Sequence, residues 1–185
     1  TWIAESRRRQ RDDIVQRDAA ILSALTHQQG AVDKIHLIRH SPNHRAERVI
    51  RDRDDRHGRQ HERPIRADVT SEADVKAMVD RALAEWGQVD ILLNNAVIPG
   101  KDLHVWDQTL ENWNDVFAIC ITAPMLASRE VLKRSMLERR TGSIVNFSST
   151  AGWTGMPRKS HYVSSKAGLR ALTKVIATEA GPYGV

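Results

Sequence analysis

The chain has 185 residues, of which 41% are hydrophobic and 28% charged, and this composition is typical of one globular domain. Its net charge of +5 lies entirely in residues 1–66, whereas residues 67–185 carry equal numbers of basic and acidic side chains. The single cysteine, Cys120, excludes a disulfide within the chain, and no run of about 18 apolar residues is present to span a membrane. We therefore expect a protein of a reducing, cytoplasmic compartment without a membrane partner.

Residues 1–66 form an Arg- and His-rich segment that differs from the rest of the chain. Short apolar stretches in it predict a helix over 19–25, a strand over 35–38 and a second helix over 45–53. The run 51–57, however, mixes Arg and His with Asp and has no apolar face. Such a pattern is typical of a solvated surface or of disorder.

The basic segment raises two binding alternatives. The arginines at 7–9 favour nucleic acid, but the segment also holds ten acidic residues and one aromatic residue, and it contains none of the common nucleic-acid motifs. Nucleic-acid binding is therefore a remote alternative. His36, His40 and His44 are four residues apart, as metal ligands on a helix can be, yet Pro42 interrupts any helix there. We predict surface histidines and no metal site.

Residues 67–185 alternate helical and strand patterns. A Ser/Asp capping box at 71–74 begins a helix that Gly87 ends. The short apolar runs 89–93 and 143–147 are typical of strands buried in a parallel sheet. This part of the chain therefore carries the predicted core.

Further elements extend the same alternation. Helix formers fill 109–139, where Pro124 is expected to kink the helix, and a second helical pattern covers 160–180. The segment 64–67 is consistent with the end of a third strand. Strands that alternate with helices predict an α/β fold with a Rossmann-like, doubly wound parallel sheet.

Tyr162 and Lys166 are four residues apart, which on a helix places both side chains on one face. A phenol with an ordinary pKa of about 10 exchanges protons poorly at neutral pH, and a nearby ammonium favours the phenolate. Such a pair can protonate an alkoxide formed by hydride transfer, or deprotonate an alcohol in the reverse direction. The same spacing also occurs on ordinary exposed helices, so the neighbouring residues must show whether the pair is part of an active site.

That context consists of polar residues that follow the predicted strands. Ser149 lies just after one strand and 13 residues before Tyr162, Asn94-Asn95-Ala96 follows another strand, and Asp68 follows the third. Open parallel sheets bind ligands at the carboxyl ends of their strands, so we expect these residues to meet in one crevice. A serine hydroxyl there can hydrogen-bond a substrate oxygen and stabilise its developing charge.

Five motifs between residues 64 and 185 occur in a fixed order. They are Ala67-Asp68-Val69-Thr70, Gly87-Gln88-Val89-Asp90-Ile91-Leu92-Leu93-Asn94-Asn95-Ala96, Glu111-Asn112-Trp113, Gly142-Ser143-Ile144-Val145-Asn146-Phe147-Ser148-Ser149 and Tyr162-Val163-Ser164-Ser165-Lys166. In order and spacing they resemble the short-chain dehydrogenase/reductase family, in particular members of the 3-oxoacyl-carrier-protein reductase kind. The resemblance implies an NAD(P)-dependent oxidoreductase that moves hydride between nicotinamide and a small carbonyl or alcohol substrate. It also implies a homo-oligomer formed through the helices near 109–139 and 160–180.

The resemblance assigns roles to the catalytic residues. It implies that Tyr162 is the general acid/base, and that Lys166 favours the phenolate and holds the nicotinamide ribose. It implies that Ser149 orients the substrate carbonyl, with Ser148 as the runner-up. Tyr162 and Lys166 are therefore expected to contact both substrate and cofactor.

For the rest of the cofactor, the resemblance implies that Asp68 and the Val69 backbone contact the adenine. Asn95 and Ala96 are expected beside the cofactor, whereas Asn94 mostly braces the sheet. A helix-cap or turn role is the alternative for Asp68. The sequence does not decide between NAD and NADP.

The sequence departs from the family pattern in four places. The first third of the chain holds only Gly30 and Gly58, instead of the family's Thr-Gly-x-x-x-Gly-x-Gly loop that cradles the pyrophosphate. Val97 and Cys120 stand where the family has a glycine and, in many members, an asparagine. The strands that the family has beyond the position of Val185 are not in this sequence. We therefore expect a sheet that is incomplete at both ends.

Two hypotheses follow from these departures. Residues 1–66 stand in place of the first βαβ unit, either as a divergent version or as a segment read out of frame, and residues 67–185 are the Rossmann-like catalytic portion. The alternative to an active oxidoreductase is a catalytically silent truncated fragment that at most oligomerises.

Overall fold

The computed structural model describes most of the second region of the chain and three short strands before it. The described residues are 35–38, 52–53, 60–61, 65 and 67–185. They belong to two compact units. Strand β1 (Ile35–Ile38) belongs to the larger unit, and the smaller unit contains a two-stranded antiparallel pair, β2 (Asp52–Arg53) and β3 (Gln60–His61).

The strand predicted over 35–38 is confirmed. The helix predicted over 45–53 is wrong at its last two residues, which form β2, because cross-strand pairing there replaces the local helical preference. Several other predictions lie outside the described residues or side chains. They are the rest of the helix over 45–53, the helix over 19–25, the arginines at 7–9 and the histidines at 36, 40 and 44.

The sheet of the larger unit has three strands in the order β1, β4 (Ile91–Asn94), β5 (Ser143–Asn146). Strands β4 and β5 run parallel, whereas β1 pairs antiparallel with β4. The parallel pair that the sequence predicts is confirmed, and the long crossover between its strands is filled by helices, as parallel pairing requires. Ile65 and Ala67 lie outside any strand, so the third strand expected over 64–67 is not found at these two residues.

Helix α1 (Glu72–Trp86) begins and ends where the sequence predicts. The backbone N–H of Asp74 donates to the side-chain oxygen of Ser71 across 3.2 Å, which satisfies one of the free amides of the first turn. Gly87 ends the helix with a φ of 74°, a left-handed conformation that glycine adopts without steric cost. These local signals explain why α1 could be delimited from the sequence.

One long interrupted helix follows. Its parts are α2 (Leu110–Phe117), a π-helical turn (Ala118–Thr122), α3 (Ala123–Val131), a second π-helical turn (Leu132–Met136) and α4 (Leu137–Arg139). The interruption expected at Pro124 is thus a widened turn directly before it. Pro124 has no N–H, so it cannot bond to the carbonyl four residues earlier. In the turn before it, the Ala123 N–H donates to the Ala118 carbonyl, five residues back.

Two helices complete the unit after β5. The chain after β5 forms the short helix α5 (Ala151–Thr154), and α6 (Ser160–Ala180) matches the predicted helix. Gly152 of α5 lies so close to α6 that an added Cβ would be 3.0 Å from the backbone nitrogen of Ala167. The chain after β5 is therefore packed directly on the turn of α6 that contains Lys166.

The hydrophobic core lies between α1, the sheet and α3. Its buried members are Val75, Met78, Val79, Ala82, Val89, Leu92, Leu126, Ala127, Val131 and Met136. Each aliphatic side chain buried in this way contributes roughly 1.5–3 kcal/mol, so β4, with Ile91, Leu92 and Leu93 all buried, is a main source of stability. No described helix is both long and apolar enough to cross a membrane.

Candidate active site

Tyr162 and Lys166 lie one turn apart near the start of α6, on the same face of the helix. The side-chain nitrogen of Lys166 is 5.9 Å from the centre of the Tyr162 ring. Lys166 is 2% exposed, whereas Tyr162 is partly accessible. The structure therefore brings these two predicted residues together, with the ammonium buried behind a phenol that can reach a ligand.

The buried ammonium is held at the end of β5. Lys166 Nζ donates to the carbonyl oxygen of Phe147 across 2.7 Å, and Phe147 is the first residue after that strand. Burial lowers the pKa of Lys166, while the nearby Cys120 sulfur acts in the opposite direction. An ammonium with one of its three N–H groups committed retains two donors for a ligand at the strand end.

The two adjacent serines differ in what their hydroxyls do. Ser148 Oγ donates to the backbone carbonyl of Lys166 at 2.9 Å and so ties the strand end to α6. Ser149 Oγ accepts the backbone N–H of Ala151 at 3.2 Å, a role that leaves its own proton for a substrate oxygen. The contacts therefore favour Ser149 over Ser148 as the residue that meets a substrate.

The asparagines after β4 also divide into two roles. The Asn94 side-chain N–H₂ donates to Asn146 Oδ1 at 2.8 Å and so bridges β4 and β5. Asn94 is 2% exposed, and its Oδ1 atom has no hydrogen-bond partner among the described residues. Asn95 is half-buried and Ala96 is 6% exposed, and both directly follow the strand end. The predicted bracing by Asn94 agrees with this geometry, and the roles of Asn95 and Ala96 toward a cofactor remain proposals.

Asp68 and Val69 lie in a turn before α1 and not at the end of a strand. The Asp68 carboxylate accepts the backbone N–H and the hydroxyl of Thr70, at 2.9 and 2.7 Å, and these bonds lower its pKa. The Asp68 backbone carbonyl accepts the N–H of Ser71. These contacts give Asp68 the turn role that the sequence left open as an alternative. A short acidic side chain readily accepts a hydrogen bond from the backbone N–H two residues further on.

Cys120 is fully buried in the first π-helical turn. Its sulfur makes a weak 3.7 Å contact with the carbonyl oxygen of Ile98. This environment is that of a small buried apolar residue. No group of three or more His, Cys, Asp or Glu side chains in the described part of the chain could hold a metal ion.

Sequence reasoning missed a polar cluster next to Tyr162. His161 is fully buried, and its ring nitrogens contact Gln108 Nε2 at 2.5 Å and the Pro99 carbonyl at 3.1 Å. Lys159 Nζ donates to the carbonyl oxygens of Pro99 and Gly100. No local signal marks these residues, because their partners are more than 50 positions away in the sequence.

Comparisons with known proteins agree with this arrangement. The family model "short chain dehydrogenase" matches residues 26–185. The chain is 40% identical over 118 residues to a Mycobacterium tuberculosis reductase, (5R,7aS)-5-hydroxy-7a-methyl-1-oxo-2,3,5,6,7,7a-hexahydro-1H-indene-carboxyl-CoA reductase, with 64% of this chain and 45% of the relative covered. It is 38% identical over 122 residues to a 2,5-dichloro-2,5-cyclohexadiene-1,4-diol dehydrogenase of Sphingobium indicum, with 65% and 48% covered.

A solved structure shows the same fold. NAD+-bound xylitol dehydrogenase superposes with a TM-score of 0.64 at 33% identity, over 67% of this chain and 47% of that one. The chain spans about half the length of the curated relatives that it matches. The α/β fold with a Rossmann-like sheet is thereby confirmed. Since the family model covers most of the chain, the protein belongs to the short-chain dehydrogenase family.

Proposed function

We propose that this chain belongs to an NAD(P)-dependent oxidoreductase, which transfers hydride between nicotinamide and a carbonyl or alcohol carbon. The observation that carries the proposal is the buried Lys166 ammonium beside the Tyr162 ring. The bond to the strand end holds this ammonium on the same helix face as the phenol. A tyrosine and a lysine arranged in this way are the components of a proton-transfer pair for a carbonyl or alcohol oxygen.

The residues at the strand ends fit the nicotinamide half of such a cofactor. Lys166 offers two N–H donors, and the small side chain of Ala96 lies just after the end of β4. The ends of two parallel strands are the usual place for a ligand in an open α/β sheet. The pyrophosphate half has no such support from the sequence, because Gly30 and Gly58 are too far apart along the chain to match a phosphate-binding motif. Asp68, Val69 and Asn95 complete the proposed cofactor contacts.

The proposed chemistry uses three side chains. The cofactor, when bound, supplies or accepts the hydride. Tyr162 gives its hydroxyl proton to the substrate oxygen during reduction and takes it back during oxidation. Ser149 donates a hydrogen bond to that same oxygen and stabilises its partial negative charge. Lys166 stabilises the Tyr162 anion left after proton transfer and keeps the pair fixed through its bond to the strand end.

The substrate class is a small molecule with a carbonyl or secondary alcohol. The names of the relatives support this class, since they include an indene-carboxyl-CoA reductase, a cyclohexadienediol dehydrogenase and a xylitol dehydrogenase. They do not choose between NAD and NADP for this chain. The family model's match begins at residue 26, which supports the proposal that much of segment 1–66 stands in place of the family's first βαβ unit.

A homo-oligomer through the helices near 109–139 and 160–180 is part of the proposal. Large apolar side chains on these helices are exposed, namely Leu110, Met125 and Val175. Helix faces of this kind gain free energy when a second copy covers them. Light scattering of the purified chain and of a Val175→Glu variant tests this: we expect a dimer or larger that the variant weakens.

The proposed activity is tested by titrating the 185-residue chain with NADH and with NADPH while nicotinamide fluorescence is followed. We expect saturable binding that Lys166→Ala weakens by at least tenfold. Lys174→Ala, an exposed lysine on the same helix, serves as the control and should bind like the parent. A screen of carbonyl substrates follows with the preferred cofactor. No binding at millimolar cofactor would support the alternative of a catalytically silent fragment.

A further inference from the structure

A series of hydrogen bonds between side chains joins His161 to the loop that precedes α2. This loop consists of residues 99–108 and is called the 99–108 loop. It follows the strand-end residues after β4 and contains a 3₁₀ turn (Val105–Asp107). Its first half lies against the start of α6, since Lys159 Nζ and His161 both contact the Pro99 carbonyl. Further along the loop, the backbone N–H of Leu103 donates to the Arg158 carbonyl at 3.2 Å.

A backbone amide at one end of this series of hydrogen bonds fixes which groups donate and which accept. The N–H of Lys101 donates to Asn112 Oδ1 at 2.8 Å, so that oxygen is the acceptor and the Asn112 N–H₂ group faces the opposite way. Asn112 Nδ2 then donates to Gln108 Oε1 at 2.8 Å. The Gln108 N–H₂ group is thereby directed at His161 Nδ1, which lies 2.5 Å away. Since an amide N–H₂ only donates, Nδ1 accepts.

A backbone carbonyl at the other end of the series fixes the same donor–acceptor direction. His161 Nε2 lies 3.1 Å from the Pro99 oxygen, which only accepts, so Nε2 carries the proton. Both ends require the same form of the ring, the neutral imidazole protonated on Nε2. Turning the side-chain amide of Asn112 or of Gln108 by 180° does not give an alternative set of hydrogen bonds, because either turn would place two donors or two acceptors face to face.

Packing holds the imidazole in this position. His161 is fully buried, and Gly100 passes so close that an added Cβ would overlap Nε2 and lie 2.7 Å from Val116 Cγ2. Gly100 also has a φ of 63°, which favours glycine. The ion pair between Lys159 and Asp102 fastens the same stretch of loop from the solvent side.

We infer that His161 is a positioning residue for Tyr162. As the neutral Nε2–H tautomer it fixes the first turn of α6 to the 99–108 loop, and so holds the adjacent tyrosine in place for proton transfer. This inference rests on the proposed function for its effect on catalysis. Its structural part, the tautomer and the link between loop and helix, does not depend on activity.

The test uses the full chain labelled with ¹⁵N-histidine and three variants of His161. Long-range proton–nitrogen correlation reports the tautomer, and the signal of His161 is assigned by its loss in His161→Phe. Hydrogen exchange of the Lys101 and Val163 amides reports the loop and the first turn, because these amides bond to Asn112 and to the Lys159 carbonyl. Val131→Ala, a cavity variant in the remote core, controls for a general loss of stability.

We expect the Nε2–H tautomer and, in His161→Phe, exchange at both amides at least tenfold faster than in Val131→Ala. We expect kcat to fall about tenfold or more while the dissociation constant of NADH stays within twofold, since a small misplacement of a reacting group is costly. His161→Asn, whose side-chain oxygen can accept from Gln108, and His161→Gln, whose amide can donate to Pro99, should each restore part of the loss.

An Nδ1–H tautomer, or equal exchange in His161→Phe and Val131→Ala, would overturn the inference. So would an unchanged kcat in an active His161→Phe protein. If the parent chain neither binds cofactor nor turns over substrate, the proposed function fails, and the tautomer and the exchange rates still decide the positioning role.

Discussion

The Lys166 ammonium donates to the carbonyl oxygen of Phe147, 19 residues earlier, across 2.7 Å. This bond joins the turn of α6 that contains Tyr162 and Lys166 to the end of β5. It holds a buried positive charge at the sheet edge where the parallel strands of an α/β fold bind ligands. The same burial lowers the pKa of Lys166, so the pH dependence of stability reports on the site.

Lys166 should make the stability rise with pH in the alkaline range. The folded-state pKa lies below the reference value of 10.5, so between these two values the unfolded chain binds more protons than the folded one. The free energy of unfolding then increases with pH, and below the folded pKa the burial penalty is fully present. Urea titrations from about pH 8 upward should show the parent gaining stability relative to Lys166→Met. The corresponding difference for the exposed Lys174→Met should stay flat, and a flat Lys166 difference would contradict the assignment.

Ser149 and Ser148 should separate catalysis from stability. Ser149→Ala removes a donor to the substrate oxygen and the acceptor of the Ala151 N–H, and we expect kcat to fall about 10²–10³-fold with a loss of stability of about 1 kcal/mol or less. Ser148→Ala removes the bond to the Lys166 carbonyl, and we expect it to lose about 1 kcal/mol of stability and to retain kcat within a few-fold. Steady-state kinetics and thermal unfolding of both variants are compared. The opposite pattern would make Ser148 the substrate-facing serine.

Gly100→Ala should destabilise the protein more than Gly87→Ala. Both glycines have left-handed backbone conformations, which cost an alanine about 1–2 kcal/mol. An added Cβ at Gly87 meets nothing within 4 Å, whereas at Gly100 it overlaps His161 and Val116. We expect an additional loss of about 1–3 kcal/mol at Gly100 from overpacking, measured by chemical denaturation. Equal losses at the two positions would indicate that the 99–108 loop moves away without cost.

Asn94 and Asn146 should show coupled contributions to stability. Asn94→Ala leaves the Asn146 oxygen without its donor, and we expect a loss of about 1–3 kcal/mol. In a double-mutant cycle with Asn146→Ala, the interaction energy should be about 0.5–3 kcal/mol. Because Asn146 also donates to Thr173, a Thr173→Val variant separates that bond from the bridge between the strands. Additive losses would mean that the asparagine pair does not brace β4 and β5.

Several features followed from local signals in the sequence. The cap at Ser71 and the glycine end at Gly87 delimit α1, and apolar runs locate β4 and β5, because these signals act within a few residues. The spacing of Tyr162 and Lys166 placed both on one helix face for the same reason. The expected strand end before Asp68 was not found at the described residues Ile65 and Ala67. The Asp68 carboxylate instead closes a local turn with Thr70, a preference that the Asp-x-Thr spacing itself carries.

The sequence by itself determined which residue types stand at each strand end and on the exposed or buried face of each helix. Only the tertiary structure decided which serine is committed to the backbone of α6, and that β1 pairs antiparallel with β4. It alone also placed His161 between Gln108 and Pro99, more than 50 residues away. The physical reason is that helix caps and periodicity arise from neighbours in the chain, whereas buried hydrogen bonds depend on which distant groups packing brings within about 3 Å.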